Sequence, residues 1–317
     1  MCSMSILDVT VLEPRLKHPT IFKKFDDLDK GEEFVIHNDH DPKPLYYQLL
    51  AERGNTFAWQ YLEEGPEKWK VKIAKLKDGE KEPSIGEMVT KDFRKAEVFK
   101  KFGLDFCCGG KKTLSKACQE KGLDIVQIEK ELREVDEKFA APSQDFNKWE
   151  LDFLVDYIVN THHKYVIQSM PIIFEYSQKV SKVHGERRPE VIEIADLFIK
   201  VMDELNHHMM KEENVLFQYI KILVATKRKS ENLKPSPFGT IQNPVNMMEM
   251  EHEQVGELME MIRELSDNFT PPENACNTHR VSYAKLKEFE EDIHQHIHLE
   301  NNILFPKAIA IEKELLG

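Results

Sequence analysis

The stretch EEDIHQHIHLENNILFP, residues 290–306, decides the fold of this protein. With helical spacing, Phe289, Ile293 and Ile303 form an apolar stripe on one face of a helix. His296 and Glu300 lie on the same face and interrupt this stripe. Buried helix faces seldom carry two ionisable groups unless those groups have partners. The stretch therefore predicts a core helix whose imidazole, His296, and carboxylate, Glu300, bind something inside the protein.

The same pattern occurs earlier in the chain. With 13 histidines and 56 acidic residues, a histidine four positions before a carboxylate is expected by chance, so the flanking residues carry the argument. HMMKEENVLF (208–217) matches HIHLENNILF (296–305) in both chemistry and register. A helical stripe with one histidine precedes each copy, at His162 and at His252. Two such helical hairpins predict an antiparallel four-helix bundle with its apolar stripes turned inward.

Side chains that bind metals converge in the interior of this predicted bundle. Unpaired imidazoles and carboxylates would be costly to bury there, so a metal site is the economical explanation. A mixture of nitrogen and oxygen ligands suits iron better than calcium or magnesium, and leaves zinc and manganese open. The alternative is a core whose histidines are satisfied by hydrogen bonds alone. The ligands predicted from the repeat are His162, His208, Glu212, His252, His296 and Glu300.

A ferritin-like carboxylate site is a second arrangement to consider. It uses the motif Glu-x-x-His, which occurs as Glu204/His207, Glu249/His252 and Glu291/His294. The members on the second and fourth helices fall beside the apolar stripes, and the first helix offers no equivalent carboxylate. We therefore predict that these side chains face solvent and do not bind the metal.

Residues 84–317, which contain the repeat, resemble the iron-sulfur cluster repair di-iron proteins, a family built on a hemerythrin-like bundle. The resemblance implies two iron ions per chain, joined by carboxylate and oxo bridges. It also implies a fifth imidazole ligand, His184, which the internal repeat does not supply. The implied set is His162 in NTHHKY, His184 in KVHGER, His208 and Glu212 in HHMMKEENVLF, His252 in MEHEQVGEL, and His296 and Glu300 in QHIHLENNILFP. The remaining bundle histidines, His163, His207, His279, His294 and His298, are expected at the surface or behind the ligands.

The stretch DFCCGGK, residues 105–111, marks a short module of its own. Residues 84–138 alternate short helices with glycine stops and resemble the small N-terminal module of the same repair family. Cys107 and Cys108 precede two glycines and two lysines, a setting that can lower a thiol pKa. Because a disulfide between adjacent residues is strained, thiolate, mixed-disulfide or cluster-contact chemistry is expected of the pair. The alternative is two small side chains that pack a turn.

Residues 5–80 have the pattern of a small α+β domain. Short β-rich runs at 6–12, 33–37, 57–62 and 69–76 alternate with helical stretches at 18–28 and 44–53. The segments HNDHDPKPLYYQLL and FAWQYLEEGPEKWKVKI resemble a SirA-like domain of unknown role. For His37, Asp39 and His40, a turn held by local side-chain hydrogen bonds is favoured over a metal site.

Composition and charge limit the other functions. The net charge is −12, which disfavours nucleic acid and an anionic membrane surface as main partners. Five cysteines without C-x2-C spacing argue against a secreted disulfide framework. No apolar run approaches the roughly 18 residues that span a membrane. The chain is therefore expected to be cytoplasmic with reduced thiols, and whether it forms a homodimer is left open.

These features together predict a multidomain α+β protein. A small N-terminal α+β domain is expected over residues 5–80, a short helical CCGG module over 84–138, and a C-terminal hemerythrin-like antiparallel four-helix bundle over 146–317. The resemblance implies repair of iron-sulfur clusters damaged by nitrosative or oxidative stress, with damaged iron-sulfur proteins as partners and the di-iron site as iron donor or redox partner. Two alternatives are a hemerythrin-like protein that binds or senses dioxygen or nitric oxide, and an iron store.

Overall fold

The computed structural model describes residues 5–54, 56–65, 68–77, 82–138 and 145–317. It shows the predicted mixed α+β architecture, with a four-stranded sheet near the N-terminus and long helices toward the C-terminus. The chain divides into two compact units, one made of Met1–Ser84 and Thr113–Glu131 and the other of Ile85–Lys112 and Leu132–Gly317. The boundaries of three separate domains stay a prediction, because residues 84–138 contribute to both units.

The sheet of the first unit forms from strands with alternating buried positions. Its elements are β1 (Ser5–Asp8), α1 (Pro14–Asp26), β2 (Glu33–Asn38), α2 (Lys43–Arg53), β3 (Phe57–Glu64) and β4 (Trp69–Lys75). The strand order is β1-β2-β4-β3, with β1 parallel to β2 and the other neighbours antiparallel. Helix α1 supplies the crossover that parallel strands need. Phe57, Trp59 and Tyr61 alternate along β3 and are buried.

Short helices follow the sheet, as the glycine stops predict. They are α3 (Ile85–Lys91), α4 (Lys95–Lys101), α5 (Leu114–Lys121) and α6 (Ile125–Lys138). Gly103 and Gly122 adopt left-handed φ values of 64° and 63° where α4 and α5 end. The Thr113 hydroxyl accepts a hydrogen bond from the amide of Lys116 and begins α5.

Four long helical rods form the predicted bundle of the second unit. Their segments are α7 (Leu151–Ile158) with α8 (Lys164–His184), α9 (Glu190–Lys211) with α10 (Phe217–Lys229), α11 (Gln242–Leu265) alone, and α12 (Asn277–Leu299) with α13 (Phe305–Leu316). Helix α8 packs against α9 and α12, and α9 packs against α11. Fully buried Ile158, Phe198, Val201, Leu286 and Phe289 occupy the interior. The apolar stripes thus converge on one core.

A π-helical turn interrupts three of the four rods. The turns are Val159–His163, Glu212–Leu216 and Glu300–Leu304. A π turn holds one residue more than an α turn, so the buried stripe after it moves by one position. In the first rod, α-helical spacing from Ile158 would place Tyr165 in the core, but Val166 is buried instead. In the second rod, spacing from Glu212 would place Val215 there, but Val215 is 47% exposed and Leu216 is buried. The apolar stripe is therefore displaced after the π turns of the first and second rods.

Candidate metal centre

Six side chains meet in the core, at most 1% exposed. They form two overlapping groups whose ligand atoms lie within 4.8 Å of one another. The first group is His163, His296, Glu212 and Glu300; the second is His208, His252, Glu212 and Glu300. Both groups share the two carboxylates, and each has two imidazoles of its own. The arrangement suits two neighbouring cations bridged by Glu212 and Glu300.

In the first group, the imidazoles of His163 and His296 point at the carboxylates. His296 Nε2 lies 3.0 Å from Glu300 Oε1, and His163 Nε2 lies 3.9 Å from the same oxygen. His163 Nε2 also lies 3.4 Å from Glu212 Oε2. The two Nε2 atoms are 3.1 Å apart. A cation among these atoms would receive two nitrogen and two oxygen ligands.

The second group repeats this geometry with the opposite oxygen of Glu300. His252 Nε2 lies 3.2 Å from Glu300 Oε2, and His208 Nε2 lies 3.3 Å from Glu212 Oε2. The Nε2 atoms of His208 and His252 are 2.9 Å apart. Glu300 therefore offers one oxygen to each group, as a bridging carboxylate does.

Oxygen acceptors behind three of the four imidazoles fix their orientation. Nδ1 of His163 lies 2.7 Å from Glu213 Oε1, Nδ1 of His208 lies 2.9 Å from Glu251 Oε2, and Nδ1 of His252 lies 2.9 Å from Asn301 Oδ1. Because these oxygens only accept hydrogen bonds, the proton is on Nδ1 and the Nε2 lone pair faces the cluster. Imidazoles that bind metals are held in this way.

The cluster has more acceptors than its own donors can satisfy. Within the described residues, neither oxygen of Glu212 nor Oε2 of Glu300 has a hydrogen-bond partner. Two imidazole lone pairs that face each other at about 3 Å need a cation or a proton between them. The donor set, two carboxylates and four imidazoles, therefore fits two cations of the iron type.

The buried carboxylates shift the pKa of two of the imidazoles. Burial opposes a charged imidazole, but the carboxylates of Glu212 and Glu300 outweigh it and raise the pKa of His163 and of His208 to about 10. Burial and the charge of Glu300 raise the pKa of Glu212, yet His208 and His163 lower it to about 2. The two carboxylates thus favour the charged form of His163 and of His208 in the metal-free site.

His162, a predicted ligand, lies outside both groups. It is buried, but its Nδ1 lies 2.9 Å from Asp292 Oδ1 and its ring stacks on that of His296, with centroids 5.8 Å apart. The π turn Val159–His163 is the reason, because the stripe that includes Ile158 continues five residues later at His163 and not four residues later. The structure thus brings His163, and not His162, into the first group. The sequence signal for this choice was the His-His doublet.

His184, the ligand implied by resemblance alone, lies at the opposite end of α8. This helix has 21 residues, and at 1.5 Å per residue its ends are roughly 30 Å apart. His184 Nε2 contacts Cys276 Sγ at 3.2 Å, and its ring packs 5.6 Å from that of His279. Distance therefore separates it from the cluster, in which the structure brings four imidazoles together. The structure brings together the other five predicted ligands, His208, Glu212, His252, His296 and Glu300.

The remaining bundle histidines differ in their surroundings. His207 is exposed, as predicted, but the prediction that His294 faces solvent is wrong, because its Nδ1 is buried and its ring packs against Phe106. His294 and His298 pack against the ring of Phe106, with centroid distances of 5.9 Å for both. These two residues therefore contact the CCGG module, and neither belongs to the two metal-binding groups.

Cys107 and Cys108 have free thiols whose Sγ atoms are 3.9 Å apart. The Cys107 thiol is buried and donates to Asp105 Oδ1 at 3.0 Å. Its hydrogen bond with Cys108, its burial and the charge of Asp105 raise the pKa of Cys107. The expected lowering of the thiol pKa is therefore wrong for Cys107, because acidic and buried surroundings outweigh the nearby lysines.

The segment HNDHDP of the first unit forms the favoured turn. Asn38 Nδ2 donates to the carbonyl of His40 at 2.9 Å, and Asp39 pairs with Lys17 at 3.0 Å. Among the described residues, the groups of side chains close enough to share an ion do not include His37, Asp39 or His40. Across all the residues that the structure describes, none of the helices combines the length and the apolar composition that a membrane span requires.

Comparison with known families matches three segments of the chain. Residues 154–308 match the hemerythrin HHE cation binding domain. Residues 81–136 match a domain of unknown function (DUF542), and residues 6–75 match an uncharacterized conserved protein (DUF2249). The bundle and its two cation groups thus define a hemerythrin-like protein.

Curated relatives match over most of the chain. The iron-sulfur cluster repair protein YtfE of Musicola paradisiaca is 37% identical over 235 residues, which cover 73% of this chain and 98% of the relative. Its counterparts in Dickeya chrysanthemi and Pectobacterium atrosepticum are 33% and 35% identical, covering 73% of this chain and 99% of each relative. The chain belongs to the iron-sulfur cluster repair family. This family and the buried groups confirm the expected di-iron centre, and the DUF2249 match confirms the expected N-terminal domain.

Proposed function

We propose that this protein repairs damaged iron-sulfur clusters with two iron ions held in the bundle. His163 and His296 would hold one ion, His208 and His252 would hold the other, and Glu212 and Glu300 would be shared by both. The single observation that supports this assignment is that two buried groups, each with two imidazoles, share both carboxylates. Bound iron supplies the metal or the electron that a damaged cluster lacks.

The surrounding residues hold these ligands in place before iron binds. Glu213, Glu251 and Asn301 accept the Nδ1 protons and so keep three Nε2 lone pairs turned inward. Lys211 pairs with Glu251 and neutralises part of its charge. Metal uptake would then require little rearrangement of the imidazoles.

Each ion would receive few protein ligands. Two imidazoles and two carboxylates could hold each one, and iron sites with few protein ligands keep open positions. The site therefore has room for an exchangeable ligand or for release of the ion, as a donor or redox partner requires. A purely structural metal site would be closed.

The contact between the CCGG module and the bundle favours repair over a carrier or an iron store. Asn302, two residues after Glu300, donates to the carbonyl of Phe106 at 3.2 Å and contacts His298 Nδ1 at 3.1 Å. Its neighbour Asn301 accepts from the proposed ligand His252. Consecutive side chains thus connect the cysteine module and the metal centre, which a simple oxygen carrier does not need.

The test measures recovery of an iron-sulfur enzyme whose cluster has been damaged by nitric oxide. The iron-loaded protein is mixed with this enzyme, the partner class we propose, and activity is followed. We expect recovery with the wild type and none with Glu212→Gln, because a neutral amide does not replace a bridging carboxylate.

Glu204→Gln, on the exposed face of α9, is the matched control and should restore activity as the wild type does. Equal recovery with Glu212→Gln and wild type would contradict the proposal. No recovery with the wild type, despite two bound irons, would favour the dioxygen or nitric-oxide binder.

A further inference from the structure

The turn that contains the cysteine pair is organised by Asp105. Its carboxylate accepts hydrogen bonds from the amides of Cys107 at 2.9 Å, Cys108 at 3.0 Å and Gly109 at 2.8 Å. These bonds hold the two thiols on one side of the turn. One ligand atom from each of Asp105, Cys107 and Cys108 lies within 4.8 Å of the others.

The separation of the two thiols matches that of two ligands on one ion. In a tetrahedral site with metal–sulfur bonds of about 2.3 Å, two thiolates lie roughly 3.8 Å apart. The Sγ atoms of Cys107 and Cys108 are 3.9 Å apart. A cation between them would need only small side-chain adjustments.

A cavity of about 360 Å³ opens beside this turn. Its lining includes Cys107, Cys108, Lys111, Glu249 and Glu253. Lys111 lies 2.7 Å from Glu249, so its charge is already neutralised by that carboxylate. Two further acidic side chains remain: Asp105 at the turn and Glu253 on the wall of the cavity. Their negative charge attracts a cation.

The cavity also lies next to the metal centre. Asn301 is part of its wall, and the side chain of Asn301 accepts from Nδ1 of His252, a proposed iron ligand. Only one side chain and one imidazole thus separate the cavity from the second cation position. Asn302, also on the wall, fixes the backbone of the turn through the carbonyl of Cys107 at 3.4 Å.

We propose that Cys107, Cys108 and Asp105 form a third cation site, which binds one thiophilic divalent ion next to the di-iron centre. If the proposed function holds, this ion is iron on its way from the di-iron centre to a damaged cluster. Each thiol loses its proton to solvent as the metal–sulfur bond forms, and no electron is transferred. Both cysteines line the cavity, so water or a thiolate of a partner could complete the coordination from there.

The site would bind its ion weakly. Asp105 remains engaged by three backbone amides, which leaves its carboxylate few lone pairs for a cation. Two thiolates nevertheless select soft ions over magnesium and calcium.

Cobalt(II) is the probe, because its X-ray absorption edge and its thiolate charge-transfer bands are distinct from those of iron. The full-length protein is loaded with two irons, freed of excess metal and titrated with cobalt under nitrogen. We expect one further equivalent to bind, with a charge-transfer band and two sulfur neighbours at about 2.3 Å in the cobalt-edge spectrum.

Cys108→Ser and Cys107→Ser should each weaken cobalt binding at least about tenfold, the loss that even an outer-shell change causes at metal sites. Cys276→Ser, at an exposed thiol on the far end of the bundle, is the matched control and should bind as the wild type does. Iron content and circular dichroism check that each variant folds. If Cys107→Ser misfolds, the partly exposed Cys108 still supplies the test.

Absence of a charge-transfer band in the wild type, or an unchanged band in Cys108→Ser, would overturn the third site. These outcomes do not depend on cluster repair, because the cobalt readout involves no damaged enzyme. Conversely, a cobalt site in a protein that fails to restore the enzyme would leave the third site standing and refute the proposed function.

Discussion

Glu300 contacts the two metal-binding groups with different oxygens. Its Oε1 lies 3.0 Å from Nε2 of His296, and its Oε2 lies 3.2 Å from Nε2 of His252. The carboxylate is fully buried, and burial raises its pKa while His296, His163 and His252 lower it well below the usual value. It therefore stays ionised in the core and is able to bridge two cations.

Glu300→Gln should remove this bridge while keeping the size of the side chain. We expect the iron content of purified protein to fall from about two per chain to about one or less, because an amide is a poor bridging ligand. Elemental analysis with the optical spectrum measures this. Glu291→Gln, at an exposed position on the same helix, is the control and should keep both ions. If the Glu300→Gln protein still bound two irons per chain, Glu300 would not be a metal ligand.

His163→Ala and His162→Ala separate the ligand from its neighbour. We expect His163→Ala to lose about one ion per chain, because its Nε2 lies in the first group, whereas His162→Ala should retain both. His184→Ala should also retain both, since His184 is at the far end of α8. Metal analysis of the three variants is the measurement. If His162→Ala lost an ion and His163→Ala kept both, His162 would be the ligand, as helical spacing predicts.

The metal-free protein should lose stability as the solution becomes alkaline. The pKa of His163 and of His208 is raised from 6.5 to about 10, so their contribution is complete below pH 6.5 and is lost as the pH rises through about 10. The lowered pKa of Glu212 contributes above pH 4.5 and is lost as the pH falls toward about 2. Thermal melts of chelator-treated protein should therefore show the highest melting temperature between pH 4.5 and pH 6.5, where both contributions are complete.

Glu212→Gln is the reference for this pH dependence, because it removes one partner of both imidazoles. The difference in melting temperature between wild type and this variant should shrink from pH 6.5 to pH 10. A difference that stays constant over this range would show that the imidazoles are not charged in the metal-free core.

Gly86→Ala should destabilise the contact between the CCGG module and the bundle. A Cβ at this position would lie 2.2 Å from Asn302 Oδ1 and 3.0 Å from the carbonyl of Gly110. We expect a loss of about 1–3 kcal/mol in the free energy of unfolding, the usual cost of overpacking. Chemical denaturation monitored by circular dichroism measures it.

Gly256→Ala is the opposite case within the same unit. It lies inside α11, where the nearest atom to a new Cβ is Cys108 Sγ at 3.8 Å. Alanine has the higher helix propensity, so the change should be neutral or stabilising by up to about 1 kcal/mol. Equal effects at the two glycines would show that Asn302 does not restrict the module.

Helical spacing alone predicted most of the ligands, because periodicity holds along each rod up to its π turn. His208 and Glu212, like His296 and Glu300, are one turn apart, and His252 lies in a rod without a π turn. His162 failed where the stripe crosses Val159–His163. The apolar pattern of α7 does not show that a π turn with one extra residue follows it, so helical spacing could not distinguish His162 from His163.

Cys107 shows a different limit. The glycines and lysines that follow it favour a thiolate, but the groups that contact it are Asp105 and Cys108, which lie even closer along the chain within a buried turn. Sequence alone does not say which of these nearby charges the thiol contacts. The contacts of Asn302 with the turn could not be predicted from the sequence either, since they join residues almost 200 positions apart.

The amino-acid sequence by itself determined that a four-helix bundle forms and that carboxylates and imidazoles lie on its inner faces, since apolar periodicity is a local property. Tertiary structure alone decided which of two adjacent histidines enters the cluster and that His184 is too far away. It also decided which acceptors orient the imidazoles and that the cysteine turn lies beside the metal centre. These features depend on how several rods meet in space, and distances across a core are not encoded in the spacing along any one of them.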